Sequence, residues 1–116
     1  MEFIKGADLS TLLELEKCGA RYFDGGEEKE ILSILKGYGF NSVRLRLWND
    51  PYDKEGKPYG AGTNDLDVTI KTAKKVVDAG FGFLFNLHYS DFWADPGKQI
   101  KPKAWENYSV EELEQA

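Results

Sequence analysis

"NSVRLRLW", residues Asn41–Trp48, is the stretch on which the fold turns. Its period of two places Val43, Leu45 and Leu47 on one face and Arg44, Arg46 and Trp48 on the other, the alternation of a β-strand. A strand of an open doubly wound sheet is apolar on both faces, because helices cover both. Two arginines on one face require instead a polar interior with acidic partners. The mouth of a (β/α)8 barrel provides one, since active-site groups project from the C-terminal ends of its strands.

Two further apolar runs lie at steps of roughly forty residues on either side, "EFIKGAD" (2–8) and "FGFLFNLH" (81–88). The last run again alternates, with Phe83, Phe85 and Leu87 opposite Leu84, Asn86 and His88, and Asp8 closes the first run. Helical patterns lie between them. Glu27 to Lys36 carries Ile31, Leu32 and Leu35 on one face and is ended by Gly37 and Gly39. Leu66, Ile70, Ala73 and Val77 recur at helical spacing, with Asn64 or Asp65 as cap and Gly80 as terminator. "TLLELEKCGA" (11–20) adds a short helix with Thr11 and Glu14 at capping-box spacing. Strands alternating with amphipathic helices predict βαβ units and a parallel sheet.

Three strands do not close a barrel of eight, which takes about 250 residues. The expectation is that residues 1–116 are the N-terminal portion of a single (β/α)8 domain, the first three βα units, ending before strand four. "SVEELEQA" (109–116) then opens another helix, capped by Ser109 with Glu112 three positions on. Exposed strand edges predict that such a piece, made alone, self-associates or is marginally folded.

A hydrophobic content of 41% and an aromatic content of 14% suit a packed core. The net charge of −5, with acidic and basic residues interspersed, argues against a nucleic-acid partner and against an anionic membrane surface. No apolar stretch approaches membrane-span length, and "MEFIKGADLS" lacks the apolar centre of a signal peptide, so a secreted parent would have lost its signal. Cys18 has no partner for an internal disulfide and reads as a small buried apolar residue.

The residues that bear chemistry concentrate in "FNLHYSDFWADPGKQ" (85–99). His88, at a strand end, can donate one hydrogen bond and accept another, or shuttle a proton, or serve structure alone. A metal reading takes His88, Asp91 and Asp95 as ligands, but lacks a second histidine and any H-x-H or H-E-x-x-H spacing. No metal or cofactor is expected. Arg44 and Arg46 suit a phosphate or carboxylate clamp, or the support of catalytic carboxylates. The glycines of "YGAGTND" (59–65) and "FDGGEEK" (23–29) are placed too loosely for a phosphate loop and read as turns. Trp48, Tyr52, Tyr59, Trp93 and Trp105 lie in or beside the loops after the second and third strands, where any one of them serves packing and the group together suits stacking on sugar rings. Asp95-Pro96-Gly97 signals a turn, with Lys98, Gln99 and Lys101 beside it.

Together "FIKGADLS", "GFNSVRLRLWNDPYD", "YGAGTNDLDVTIKTAKKVVDAG" and "HYSDFWADPGKQIKPKAW" resemble the amino-terminal third of glycoside hydrolase family 53, the arabinogalactan endo-β-1,4-galactanases. The resemblance implies a (β/α)8 barrel that hydrolyses galactan with retention, outside the cell. Its acid/base and nucleophile glutamates end strands four and seven, beyond Ala116. Retention needs those carboxyls about 5–5.5 Å apart. The resemblance casts Arg44 and His88 as supports of the catalytic centre. It sets Asp91 and Trp93 beside the galactose subsites, and Asp8 and Arg46 on the floor. The family pattern has aspartate where Asn86 stands, which removes one acidic partner from Arg44 or Arg46. A non-catalytic carbohydrate-binding protein and a barrel enzyme acting on a phosphorylated substrate are the alternatives.

Overall fold

The structure, a computed structural model, describes residues 2–116. Strand β1 (Gly6–Asp8) leads to helix α1 (Leu12–Lys17), a small hairpin β2 (Phe23–Asp24) and β3 (Glu27–Glu28), and helix α2 (Ile31–Gly37). Strand β4 (Ser42–Leu47), helix α3 (Leu66–Asp78) and strand β5 (Gly82–Leu87) follow, then a 3-10 turn (Lys103–Trp105) and helix α4 (Val110–Gln115).

Strands β1, β4 and β5 form one parallel sheet in that order, each crossover carrying a helix. The register sets Asp8 beside Arg44, Arg44 beside Leu84, and Arg46 beside Asn86. The polar residues of the three strands therefore share one face. The opposite face meets the helices, where Val43 and Leu45 pack with Leu32, Val76 and Phe81. Each such side chain contributes about 1.5–3 kcal/mol when fully withdrawn from water. The alternation of β4 thus holds, with Val43 and Leu45 buried against α2 and α3.

Four local expectations are corrected. Glu27 and Glu28 are not helical: they pair with Phe23 and Asp24 across Gly25 and Gly26, whose φ values of 58° and 81° suit a two-residue hairpin turn. In α3 the sheet-facing residues are Thr69, Thr72 and Val76, whereas Leu66, Ile70 and Val77 are exposed. A helix on a barrel touches both the sheet and its helical neighbours, so its apolar stripe can lie on a flank. The side nearest the strands takes compact residues that allow close approach, and Thr69 Oγ1 donates to the Arg46 carbonyl at 3.2 Å. Thr11 makes no side-chain cap, and Glu14 instead accepts from the N–H of Gly62. Cys18, on the outer end of α1, is exposed rather than buried.

Other signals form as read. Asp65 caps α3 by accepting from the Val68 N–H at 2.8 Å, and Ser109 with Glu112 closes a full capping box on α4. Strand β5 alternates in direction but not in burial: Phe83, Leu84, Phe85 and Leu87 are all exposed. No helix among the described residues is long and apolar enough to cross a membrane.

Candidate active-site wall

The polar face of the sheet ends in linked side chains. Asp8 Oδ1 accepts from the Ser10 N–H at 2.9 Å and from Ser10 Oγ at 2.6 Å, while Oδ2 accepts from Arg44 Nε at 2.8 Å. Burial alone would raise the Asp8 carboxyl, but the bonds from Ser10 and Arg44 and the nearby Arg46 charge outweigh it. The group is held below its ordinary value of 3.8 and is a carboxylate at neutral pH. The partner of Arg44 is therefore Asp8, so asparagine at position 86 leaves that pair intact. Ser10 is buried and its Oγ also accepts from the Arg46 N–H at 2.9 Å, tying the first strand end to the second.

Arg46 is buried with its guanidinium 4.0 Å from the centroid of the Trp93 ring and 5.4 Å from that of Trp48. Such a desolvated cation over an indole is worth about 2 kcal/mol. Its Nη2 donates to the Ala61 carbonyl at 3.3 Å. Burial lowers the Arg46 pKa, the Asp8 charge opposes the fall and Arg44 adds to it.

Four successive left-handed residues aim that carbonyl: Gly60 (φ 84°), Ala61 (53°), Gly62 (99°) and Thr63 (46°). At Gly62 a Cβ would stand 2.6 Å from the Ser10 carbonyl oxygen, so no side chain fits. Asn64, next in line and buried, donates through Nδ2 to the same Ser10 oxygen at 2.6 Å and accepts from the Trp48 N–H at 2.8 Å. "YGAGTND" is thus a shaped cradle under Arg46, more than the simple turn its glycines suggest.

His88 follows directly on β5, its backbone N–H donating to the Leu47 carbonyl at 3.1 Å. Trp48 Nε1–H donates to His88 Nδ1 at 2.8 Å. The chain then reverses through Tyr89 (φ 50°), and the Ser90 carbonyl accepts from the Asn49 N–H at 2.9 Å. Trp48 is only 1% exposed and packs on Phe92 and Trp93, with centroids 4.9 and 5.6 Å away. It cannot be a sugar platform. Of the five aromatic residues singled out from the sequence, Trp93, at 44%, and Tyr59 are the exposed ones. Tyr52 instead donates its hydroxyl to Asp65 Oδ2 at 2.6 Å.

Asp91 is 8% exposed, and both its oxygens are engaged. Oδ1 accepts from the Asp50 N–H at 3.0 Å, and Oδ2 accepts from the Lys103 N–H at 2.8 Å and Lys103 Nζ at 3.0 Å. It joins the loop after β4 to the segment before α4. Burial alone would lower the Lys103 ammonium, but Asp91, Tyr59 and Asp50 raise it above its ordinary value. Among the described residues no three His, Cys, Asp or Glu side chains come together as a metal site. His88 Nδ1 is engaged by Trp48, and Asp95 Oδ1 accepts from the Gly97 N–H at 2.8 Å.

Two clefts flank this wall. One, of about 500 Å³, is lined by Asn86, His88, Tyr89, Asp95 and Gln99 among others. The other, of about 400 Å³, has Tyr59, Trp93, Lys98 and Lys103 in its lining, and both share Ile100 and Lys101. Asp8, Arg44, Arg46 and Trp93 form one connected group, His88 joins it through Trp48, and Asp91 stands behind as a strut. The sequence reading gave Glu14 and Asn64 only capping roles and passed over Ser10 and Lys103. Only Ser10 had a local signal, its place two residues after Asp8, the spacing at which an aspartate side chain bonds its own backbone.

The profile of glycosyl hydrolase family 53 matches residues 4–116. An endo-β-1,4-galactanase of Bacillus subtilis is 47% identical over 111 residues, which are 95% of this chain and 26% of that protein. Arabinogalactan endo-β-1,4-galactanase A of Aspergillus niger is 40% identical over 110 residues, 94% of this chain and 29% of that protein. The GH53 catalytic domain of Ignisphaera aggregans superposes with a TM-score of 0.94 at 50% identity, covering 97% of this chain and 32% of that one. A fungal β-1,4-galactanase structure superposes at 0.81 with 38% identity, over 95% and 31%. The chain thus spans between a quarter and a third of the length of the relatives it matches. Its three parallel strands and their helices are βα units of a (β/α)8 barrel, and the chain belongs to glycosyl hydrolase family 53.

Proposed function

We propose that the protein containing this chain is an endo-β-1,4-galactanase that cleaves internal β-1,4-galactosyl bonds of galactan and type I arabinogalactan with retention. The observation that carries this is the Asp8–Arg44–Arg46–Trp93 group at the C-terminal ends of parallel strands, with an exposed indole held by a buried cation. Trp93 offers a face to a galactose ring, and the ionised Asp8 and Arg44 offer hydrogen bonds to its hydroxyls or to a neighbouring carboxylate. Arg44 is engaged by Asp8 and the Arg46 guanidinium stands over the Trp93 ring, an arrangement that favours a sugar over a phosphate clamp.

In this reading Arg44 and His88 support the reacting carboxylates, Asp8, Arg46 and Trp93 line the substrate floor, and Asp91 fixes the loops around them. The acid/base and nucleophile glutamates lie beyond Ala116, on later strands of the same domain. The 116-residue piece alone is inactive and self-associates through the free edge and exposed side chains of β5. A polymeric plant-type glycan places the full enzyme outside the cell. The test compares the full-length protein with the isolated piece on galactan, following oligosaccharide release and anomeric configuration by NMR. Expected are β-configured products from the first and none from the second. Hydrolysis by the piece, or α-configured first products from the full protein, overturns the proposal.

A further inference from the structure

We infer that Trp48 is a positioning residue for His88: it holds the imidazole as its Nε2–H tautomer and thereby gives the cleft a fixed hydrogen-bond donor. An indole nitrogen can only donate, so the imidazole nitrogen facing it must accept. Trp48 Nε1 lies 2.8 Å from His88 Nδ1. A neutral imidazole that accepts at Nδ1 carries its proton at Nε2. Nε2 has no hydrogen-bond partner among the described residues, and His88 is part of the lining of the cleft that also contains Asn86, Tyr89 and Gln99.

The geometry on both sides of this bond is fixed. Trp48 is buried, wedged against Phe92 and Trp93, and its backbone N–H is held by the Asn64 carbonyl at 2.8 Å. His88 is held by its own N–H on Leu47, and the left-handed Tyr89 turns the chain immediately after it. Neither ring can rotate without breaking these contacts. The tautomer is thus set by a residue forty positions away in the chain, just past the end of the neighbouring strand. The proton at Nε2 serves an oxygen acceptor in the cleft, a carboxylate or a glycan hydroxyl, and His88 oriented in this way donates to it without prior rearrangement.

The experiment uses the full-length protein labelled with nitrogen-15. A scalar coupling across the hydrogen bond between Trp48 Nε1 and His88 Nδ1 is expected, with the imidazole signal identified by its loss in His88→Gln. Trp48→Phe keeps an aromatic ring in the same space and removes the donor. In that variant an Nδ1–H population is expected, together with a kcat on galactan about tenfold lower and a KM within about twofold of the parent, a loss of one neutral hydrogen bond's worth of positioning. Absence of the coupling in the parent, or a Trp48→Phe variant with unchanged tautomer and kcat, overturns the inference. Should Trp48→Phe fail to fold, the parent coupling alone decides it. The kinetic part rests on the galactanase reading and the coupling does not. A protein that shows the coupling and does not cleave galactan refutes that reading while leaving the assignment of Trp48 standing.

Discussion

Replacing Asp91 by alanine separates a strut from a sugar ligand. Its carboxylate accepts two backbone N–H groups, from Asp50 and Lys103, and one ammonium, Lys103 Nζ. Each N–H bond to this buried charge is worth about 1.5 kcal/mol. Lys103 is 41% exposed in its side chain, so solvent reduces the ion pair to about 0.5 kcal/mol. The sum is about 3.5 kcal/mol, most of it lost where the two loops meet. Native-state amide exchange reads this directly, because 1.5 kcal/mol is about tenfold in a local opening equilibrium. In Asp91→Ala the Asp50 and Lys103 amides are expected to exchange at least about tenfold faster, while the core amide of Leu45 keeps its protection. Asp91→Asn, which retains one acceptor, falls between the two. If both amides keep their protection while KM for galactan rises, Asp91 touches the glycan, and the strut reasoning fails.

Three further outcomes follow from the same geometry. Gly62→Ala adds left-handed strain to a 2.6 Å approach on the Ser10 oxygen and is expected to cost about 3 kcal/mol or more. Gly60→Ala, whose nearest neighbour is 3.8 Å away, costs about 1 kcal/mol, and equal melting temperatures for the two variants would refute the clash. Asp8 has a folded pKa below its unfolded value, so its stabilisation is full above about pH 4 and is lost as pH falls through the folded value. Asp8→Asn therefore flattens the acid limb of the stability profile, and an unchanged limb in urea titrations run from neutral to acid pH counts against the pairing with Arg44 and Ser10. The hydrogen bond to Asp65, with burial second, pushes the Tyr52 hydroxyl up to about 12. Its stabilisation is present below the unfolded value of 10.0 and lost as pH rises through about 12. Tyr52→Phe should remove one late-titrating phenol from the alkaline absorbance curve, and retention of that phenol would refute the assignment.

Period and punctuation were enough to determine the βα order, the parallel sheet and the two faces of β4. A strand's alternation is a local property, and arginines at two alternate positions cannot both be buried on an apolar face. The caps at Asp65 and Ser109 were legible for the same reason, since each bonds within its own turn. The stripe of α3 was not: Leu66, Ile70 and Val77 satisfy helical spacing, yet the sheet takes Thr69, Thr72 and Val76, because which flank faces the strands depends on the neighbours. The chemistry-bearing stretch 85–99 was visible as a cluster but not as a mechanism. Asp91 and Trp93 are two residues apart, and only the fold turns one inward onto Lys103 and leaves the other outside on Arg46. Trp48 reads in sequence as one of five aromatic rings, each open to packing or to sugar. Its burial, and the 2.8 Å bond that makes it the partner of His88, arise from the registry of two adjacent strand ends, a contact forty residues long that no local pattern encodes.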